Sequence, residues 1–239
     1  MDDRTTRWEV TAAAIPGALV IAVLFHLWPT GQFLQRTWLA MPVHELGHAV
    51  TAWWCGFGAI PTVWKTMIPE ERGLVWVLVA GLEGGLFWLG WQRTWMALTG
   101  AALGLALLQL IGTQAQPDTA RVWITFGGDA GGMVLGTLLM ASFFVPRLAE
   151  HGLRWGLLSI GAAAFVDPFA TWWAARTDPD VIPFGEIEGV GLSDPTKLVE
   201  EHGWTIAQLV GRHVTVGVVC LVLLGALTAW RSWLAWRDR

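Results

Sequence analysis

The run VTVGVVCLVLLGALTAW extends from Val214 to Trp230 without a charged side chain, and WMALTGAALGLALLQLI, residues 95–111, does the same. Continuous apolar runs of this length do not alternate as half-buried strands do. They approach the ~20 residues that a helix needs to cross a hydrocarbon core of ~30 Å. Five further apolar segments, 11–28, 38–56, 74–91, 122–145 and 155–174, repeat the pattern. The chain therefore reads as an all-α membrane protein, a multi-pass bundle of about six or seven transmembrane helices. Residues 1–239 form a single integral-membrane domain in this reading.

Composition points the same way. Only 14% of residues are charged and 54% are hydrophobic, whereas a soluble domain carries about 25% charged residues. Of the 18 Trp, Trp28, Trp38, Trp91, Trp95, Trp155, Trp172 and Trp230 fall near segment ends, as an interfacial aromatic belt requires. The expected surroundings are a lipid bilayer, in a cell membrane of bacterial plasma-membrane type. No basic run suggests nucleic acid, and Cys55 and Cys220 both lie in apolar segments, so neither a disulfide framework nor a cysteine zinc site is available. Lys and Arg divide nearly evenly between the two faces, and no orientation follows.

Gln92, Arg93 and Thr94 alone separate segments 74–91 and 95–111, which forces a tight antiparallel pair. Two longer polar stretches remain. FGAIPTVWKTMIPEERG, 57–73, mixes β-branched residues with prolines and reads as a short extended segment. Residues 175–208 read as an extramembrane loop, with Ser193 as N-cap of a short amphipathic helix through about Glu201.

Within the apolar segment 38–56 sits HELGH, from His44 to His48. On a helix, residues i and i+4 share a face, so both imidazoles can bind one Zn²⁺ with Glu45 beside them. The chemistry suits peptide hydrolysis: zinc acidifies a water and polarises a carbonyl, and the glutamate moves the proton. The plain alternative is two helix histidines with hydrogen-bond partners. It loses ground inside a hydrophobic segment, where each ionisable group is costly and tends to mark function. Pro42 suits a first helical turn, so the regular helix is expected to start near Met41 and stop at Gly56 and Gly58.

A catalytic zinc takes three protein ligands and keeps one position open. Besides Glu45, three acids lie within apolar segments: Glu83, Asp129 and Asp167. Depth separates them little. Counting ~1.5 Å per residue, Asp167 lies ~18 Å below the face from which the histidine segment enters, and Asp129 ~20 Å below it. The glycines flanking Asp129 suit close helix packing or a loosened segment admitting water. His26, His151, His202 and His213 read as satisfied interfacial histidines.

HELGHAVTAWWCGFGAIPTV resembles the site-2-protease-like intramembrane zinc metalloproteases, especially the compact branch without a PDZ domain, and VAGLEGGLFWLG (79–90) is similar to the small-residue helix that follows there. The family's N-x-x-P…LDG motif is not present in that form. The resemblance implies an aspartate ligand on a later helix of the same direction, beside a proline, and FVDPF offers Asp167; Asp129 is the alternative third ligand. It further implies a zinc metalloendopeptidase with His44, His48 and Asp167 on Zn²⁺ and Glu45 as the catalytic base. The substrate would be a transmembrane segment of another membrane protein, pairing as an added strand with 57–68. A proteolytically inactive, membrane-embedded zinc-binding or scaffold protein of the same fold is the alternative.

Overall fold

A computed structural model describes residues 8–150, 152–187 and 191–237. Its backbone is mainly helical: α1 (Trp8–Leu27), α2 (Pro29–Gln35), α3 (Met41–Trp54), α4 (Val75–Gln92), α5 (Met96–Gln114), α6 (Pro117–Phe126), α7 (Asp129–Ala141), α8 (Pro146–Glu150), α9 (Leu153–Ala174), α10 (Asp194–Glu200) and α11 (Ile206–Arg237). Among the described residues, α1 from Glu9, α5, α9 and α11 are long and apolar enough to cross a bilayer. A fifth crossing results if α6 and α7, bent by 55° at their junction, count as one. The expectation of six or seven crossings goes beyond this count. Segment 38–56 is divided between a π-turn, Arg36–Ala40, and the 14-residue α3, only ~21 Å long. The other segment outside the count is α4, which carries Glu83 and Gln92 and lies antiparallel against α5.

The π-turn has a local cause. Pro42 has no N–H to give to the carbonyl four residues back, and its ring crowds that oxygen. Widening the preceding turn relieves the clash, and regular helix resumes at Met41. At the other end Gly56 stops α3 with φ +86°, a conformation that costs glycine little.

At the centre lies α7, packed on α3, α9 and α11. Met133, Met140, Leu158 and Phe165 form a core shared with α1 and α11. Its contact with α3 is backbone to backbone. A Cβ built on Gly131 would stand 2.8 Å from Gly47 Cα, and one on Gly128 would stand 2.6 Å from His44 Cε1. The glycines around Asp129 are thus close-approach residues. They let the HExxH helix lie directly on α7.

Two small hairpins flank this contact. The 57–73 stretch forms β1 (Ile60–Pro61) and β2 (Thr66–Met67), antiparallel with Pro61 opposite Thr66. Trp53 Nε1 donates to Ala59 O at 2.9 Å and fixes the hairpin to α3. The second, β3 (Glu186–Ile187) with β4 (Gly191–Leu192), leads into α10, whose N-cap residue is Ser193. Leu198 of α10 is buried with Trp172, Ile182 and Leu209, which seats α10 on α9 and α11. Trp172 therefore belongs to the interior, 1% exposed, and not to an interfacial belt.

The glycine contact is testable. Gly131→Val should destabilise the protein by about 1–3 kcal/mol, read as a lowered unfolding midpoint in detergent. Gly104→Ala, where an added Cβ meets nothing within 4 Å, should move it by less than about 0.5 kcal/mol.

Candidate metal centre

On α3 the two histidines point the same way, with Nε2 of His44 3.2 Å from Nε2 of His48. Each ring is held from behind. His44 Nδ1 donates to Asp129 Oδ1 at 2.9 Å, and His48 Nδ1 donates to the Ile124 carbonyl at 2.7 Å. Protons on both Nδ1 atoms leave both Nε2 lone pairs facing each other. A third acceptor completes the group: Asp194 Oδ2 lies 3.3 Å from His44 Nε2 and 2.9 Å from His48 Nε2.

Three lone-pair atoms without a hydrogen between them repel one another unless a proton or a metal cation lies among them. The spacing suits a metal. Tetrahedral zinc with bonds of ~2.0–2.1 Å separates its ligand atoms by about 3.3–3.4 Å. The separations here, 3.2, 3.3 and 2.9 Å, approach that edge length. His44, His48 and Asp194 are the group of His, Cys, Asp and Glu side chains among the described residues that could hold a metal ion.

Asp194 lies outside the spanning helices, at the first position of α10. Burial by itself pushes its carboxyl up, but when the His48 and His44 imidazoles are protonated they hold it well below the ordinary carboxylate range. Lys197 Nζ approaches its other oxygen at 3.6 Å. The local chain explains its position. Ser193 N donates to Gly185 O at 2.8 Å and Gly185 N donates to Thr196 Oγ1 at 2.8 Å, so both ends of the second hairpin and α10 form one unit.

The sequence-derived acids take other places. Asp129 sits behind His44, not beside the Nε2 atoms: Oδ1 accepts from the ring and Oδ2 accepts from Trp172 Nε1 at 2.8 Å. Trp172 is in turn stacked on His213, ring centres 4.0 Å apart and planes within 8°. This is an orienting chain of the kind that fixes a ligand's tautomer and direction. Asp167, expected as a ligand through the family resemblance, faces Arg36 Nη1 at 3.6 Å and His26 Nδ1 at 3.8 Å, and Asp194 of α10 stands as the third potential donor beside the two histidines. Glu83 accepts from Trp54 Nε1 at 3.1 Å and ties α4 to α3. Of the histidines read as interfacial, His213 is buried in the orienting chain and His26 pairs with Asp167; His151 lies outside the described residues.

Glu45 is buried, 5% exposed. Thr66 Oγ1 of β2 lies 2.7 Å from Glu45 Oε2 and 2.8 Å from the Glu45 carbonyl oxygen, so its single proton serves one or the other. Both groups open on a cleft of about 410 Å³. Its walls come from α3, the first hairpin (Trp64, Thr66), the α6–α7 bend (Thr125, Asp129) and the second hairpin with α10 (Phe184, Asp194).

No known protein family, curated protein or solved structure matches the chain. The chemistry rests on the residues themselves. Purified protein should hold about one zinc per chain. Asp129→Asn should weaken metal affinity ~10–100-fold and Asp194→Ala at least as much, while Asp167→Asn should leave it near wild type; metal titration with a chelating dye checks all three.

Proposed function

We propose that the chain is an intramembrane zinc metalloprotease that cleaves a transmembrane segment of another membrane protein. The observation that carries this reading is the incomplete donor set. His44, His48 and Asp194 would give zinc three protein ligands, as catalytic sites do, where structural sites close with four. The similarity of HELGH and its following extended segment to the site-2-protease-like family adds to it. Zinc held there would supply a Lewis acid able to acidify water and polarise a peptide carbonyl.

The chain's own groups divide the remaining work. Glu45, adjacent in sequence to one ligand, offers Oε1 to take a proton from water and return it to the leaving amine, while Thr66 anchors Oε2. Asp129 keeps His44 in the Nδ1–H tautomer and steadies the ring. The first hairpin and residues 183–186 and 192–197 both line the cleft. An unwound substrate strand lying between them would exchange its lost helical hydrogen bonds for main-chain pairing.

A second reading is a membrane-embedded zinc protein without protease activity. Asp194 favours it in one respect: an ion there would staple the extramembrane α10 to α3 whether or not catalysis occurs. Glu45→Gln separates the two. In proteoliposomes holding zinc-loaded protein and a single-span reporter with glycine and asparagine in its span, the variant should keep its metal and lose cleavage. Unchanged cleavage by Glu45→Gln sinks the mechanism, and retained zinc with no cleavage by wild type supports the second reading. Thr66→Val should slow turnover roughly tenfold or more through misplacement of the carboxylate.

A further inference from the structure

Helices α9 and α11 run side by side in opposite directions, and their two ends differ. At the metal end Trp172 of α9 is stacked on His213 of α11. At the far end Arg154 of α9 and Arg231 of α11 both reach the 3-10 turn Ser142–Phe144 that follows α7. Arg154 lies over the Phe143 ring, with Cζ 5.2 Å from its centre, and Arg231 lies over the Phe144 ring at 5.7 Å. The two phenyl rings pack edge to face, centres 5.7 Å apart. Each arginine also has its sequence neighbour beside it, Trp155 at 5.5 Å and Trp230 at 6.0 Å, and both tryptophans are about half exposed. From His213 to Arg231 the helix rises ~27 Å, close to the ~30 Å of a hydrocarbon core. The arginines therefore stand at headgroup level on the membrane face opposite the metal.

We propose that Arg154 and Arg231 bind the phosphate of an anionic phospholipid. An arginine drawn to an aromatic ring keeps the N–H groups in its own plane, and that fork matches the oxygens of a phosphate. Among the described residues neither side chain has a hydrogen-bond or carboxylate partner. Both are half-buried, so the rings position the two heads while leaving them open to the interface.

Charge separates the two ends of the bundle. The arginine end carries Arg147, Arg154, Arg231 and Arg237 against Glu9 and Glu150, and residues 1–7 and 238–239 add Asp and Arg in equal number. At the metal end, residues 175–203 hold seven acids against Arg176 and Lys197. A lipid of net negative charge is attracted to the first end, and a zwitterionic headgroup carries its own cation and gains less. The apolar surroundings favour a lipid over a free phosphate. Val145, Leu153 and Trp230 are exposed beside the arginines and give acyl chains a surface to lie on. The site involves neither the metal nor Glu45, so it stands apart from the protease reading.

Native mass spectrometry of the protein in a neutral detergent, titrated with phosphatidylglycerol or phosphatidylcholine, reads the first bound lipid directly. Wild-type protein should hold phosphatidylglycerol roughly tenfold more tightly or better. Arg154→Gln and Arg231→Gln should each cost about fivefold, and the double substitution should leave the two lipids equal. Arg154→Lys and Arg231→Lys keep the charge without the fork and should fall between wild type and glutamine. Arg176→Gln removes an arginine stacked over Trp173 at the metal end and should change the preference less than about twofold. An unfolding midpoint at the wild-type value in detergent alone verifies that each variant is folded. Equal binding of the two lipids by wild type, or a preference that survives the double substitution, overturns the proposal. Displacement of phosphatidylglycerol by millimolar glycerol phosphate overturns it as well, since the site would then take a soluble phosphate.

Discussion

Three lone pairs converge between α3 and α10, and among the described residues no neighbouring side chain places a hydrogen between them. His44 and His48 donate their Nδ1–H groups to Asp129 and to the Ile124 carbonyl, so both rings present their Nε2 atoms to Asp194. Either an extra proton or a cation must sit there. Much of the fold serves to hold that arrangement. Gly47, Gly128 and Gly131 bring α3 against α7 closely enough for Asp129 to reach His44 from behind. Leu198 seats α10 so that Asp194 reaches the same point from in front. Each contact adds little alone, but the rings cannot turn without losing a buried hydrogen bond.

The bend between α6 and α7 does two things at once. A straight helix through 122–145 would consume the Ile124 carbonyl in its own ladder and carry Asp129 round the helix face. Breaking the ladder at Gly127 and Gly128 leaves Ile124 O within reach of His48 and starts a new helix at Asp129. The same acid then accepts from Trp172, which rests on His213 of α11. Helices α3, α7, α9 and α11 are thereby connected through polar side chains in a region otherwise packed by apolar ones. Buried polar groups in such a place are costly unless each is met, and here each member of the chain has a partner.

What the sequence made legible, and what it concealed, follows from the same geometry. HELGH is local: its spacing puts two rings and a carboxylate on one helix without help from the rest of the chain. The apolar runs were equally plain, and so were the tight α4–α5 pair across Gln92–Thr94 and the helix after Ser193. The crossing count was less so, because hydropathy sees neither a π-turn forced by Pro42 nor a 55° bend at two glycines. The carboxylate facing the histidines escaped for a different reason. Acids inside apolar segments are only those that arrive along a span. Asp194 arrives from a polar loop, where an acid is unremarkable, and only long-range packing of Leu198 carries it there. Asp129, part-buried, and Asp167, buried, each have work in the interior: orienting His44 in one case and pairing with Arg36 and His26 in the other.

The placement of Asp194 has a consequence for how anything reaches the centre. A ligand carried by α10 puts residues 183–186 and 192–197 along one side of the cleft, with Asp129 of α7 also in its lining. What remains is the side walled by the first hairpin, where Trp64 and Thr66 stand beside Glu45. That side adjoins Trp38 and the π-turn, and through them a groove on α1 and α2. The turn forced by Pro42 therefore stands between two recesses, an apolar one lined by Leu34 and Trp38 and a more polar one that holds the candidate metal centre. On the protease reading, a substrate helix would unwind beside Trp64 for its chain to pass Thr66. Unwinding there exposes backbone N–H and C=O groups where edge strands can take them up, which makes the short β1–β2 hairpin, too small to stabilise itself, useful as a template beside the proposed base.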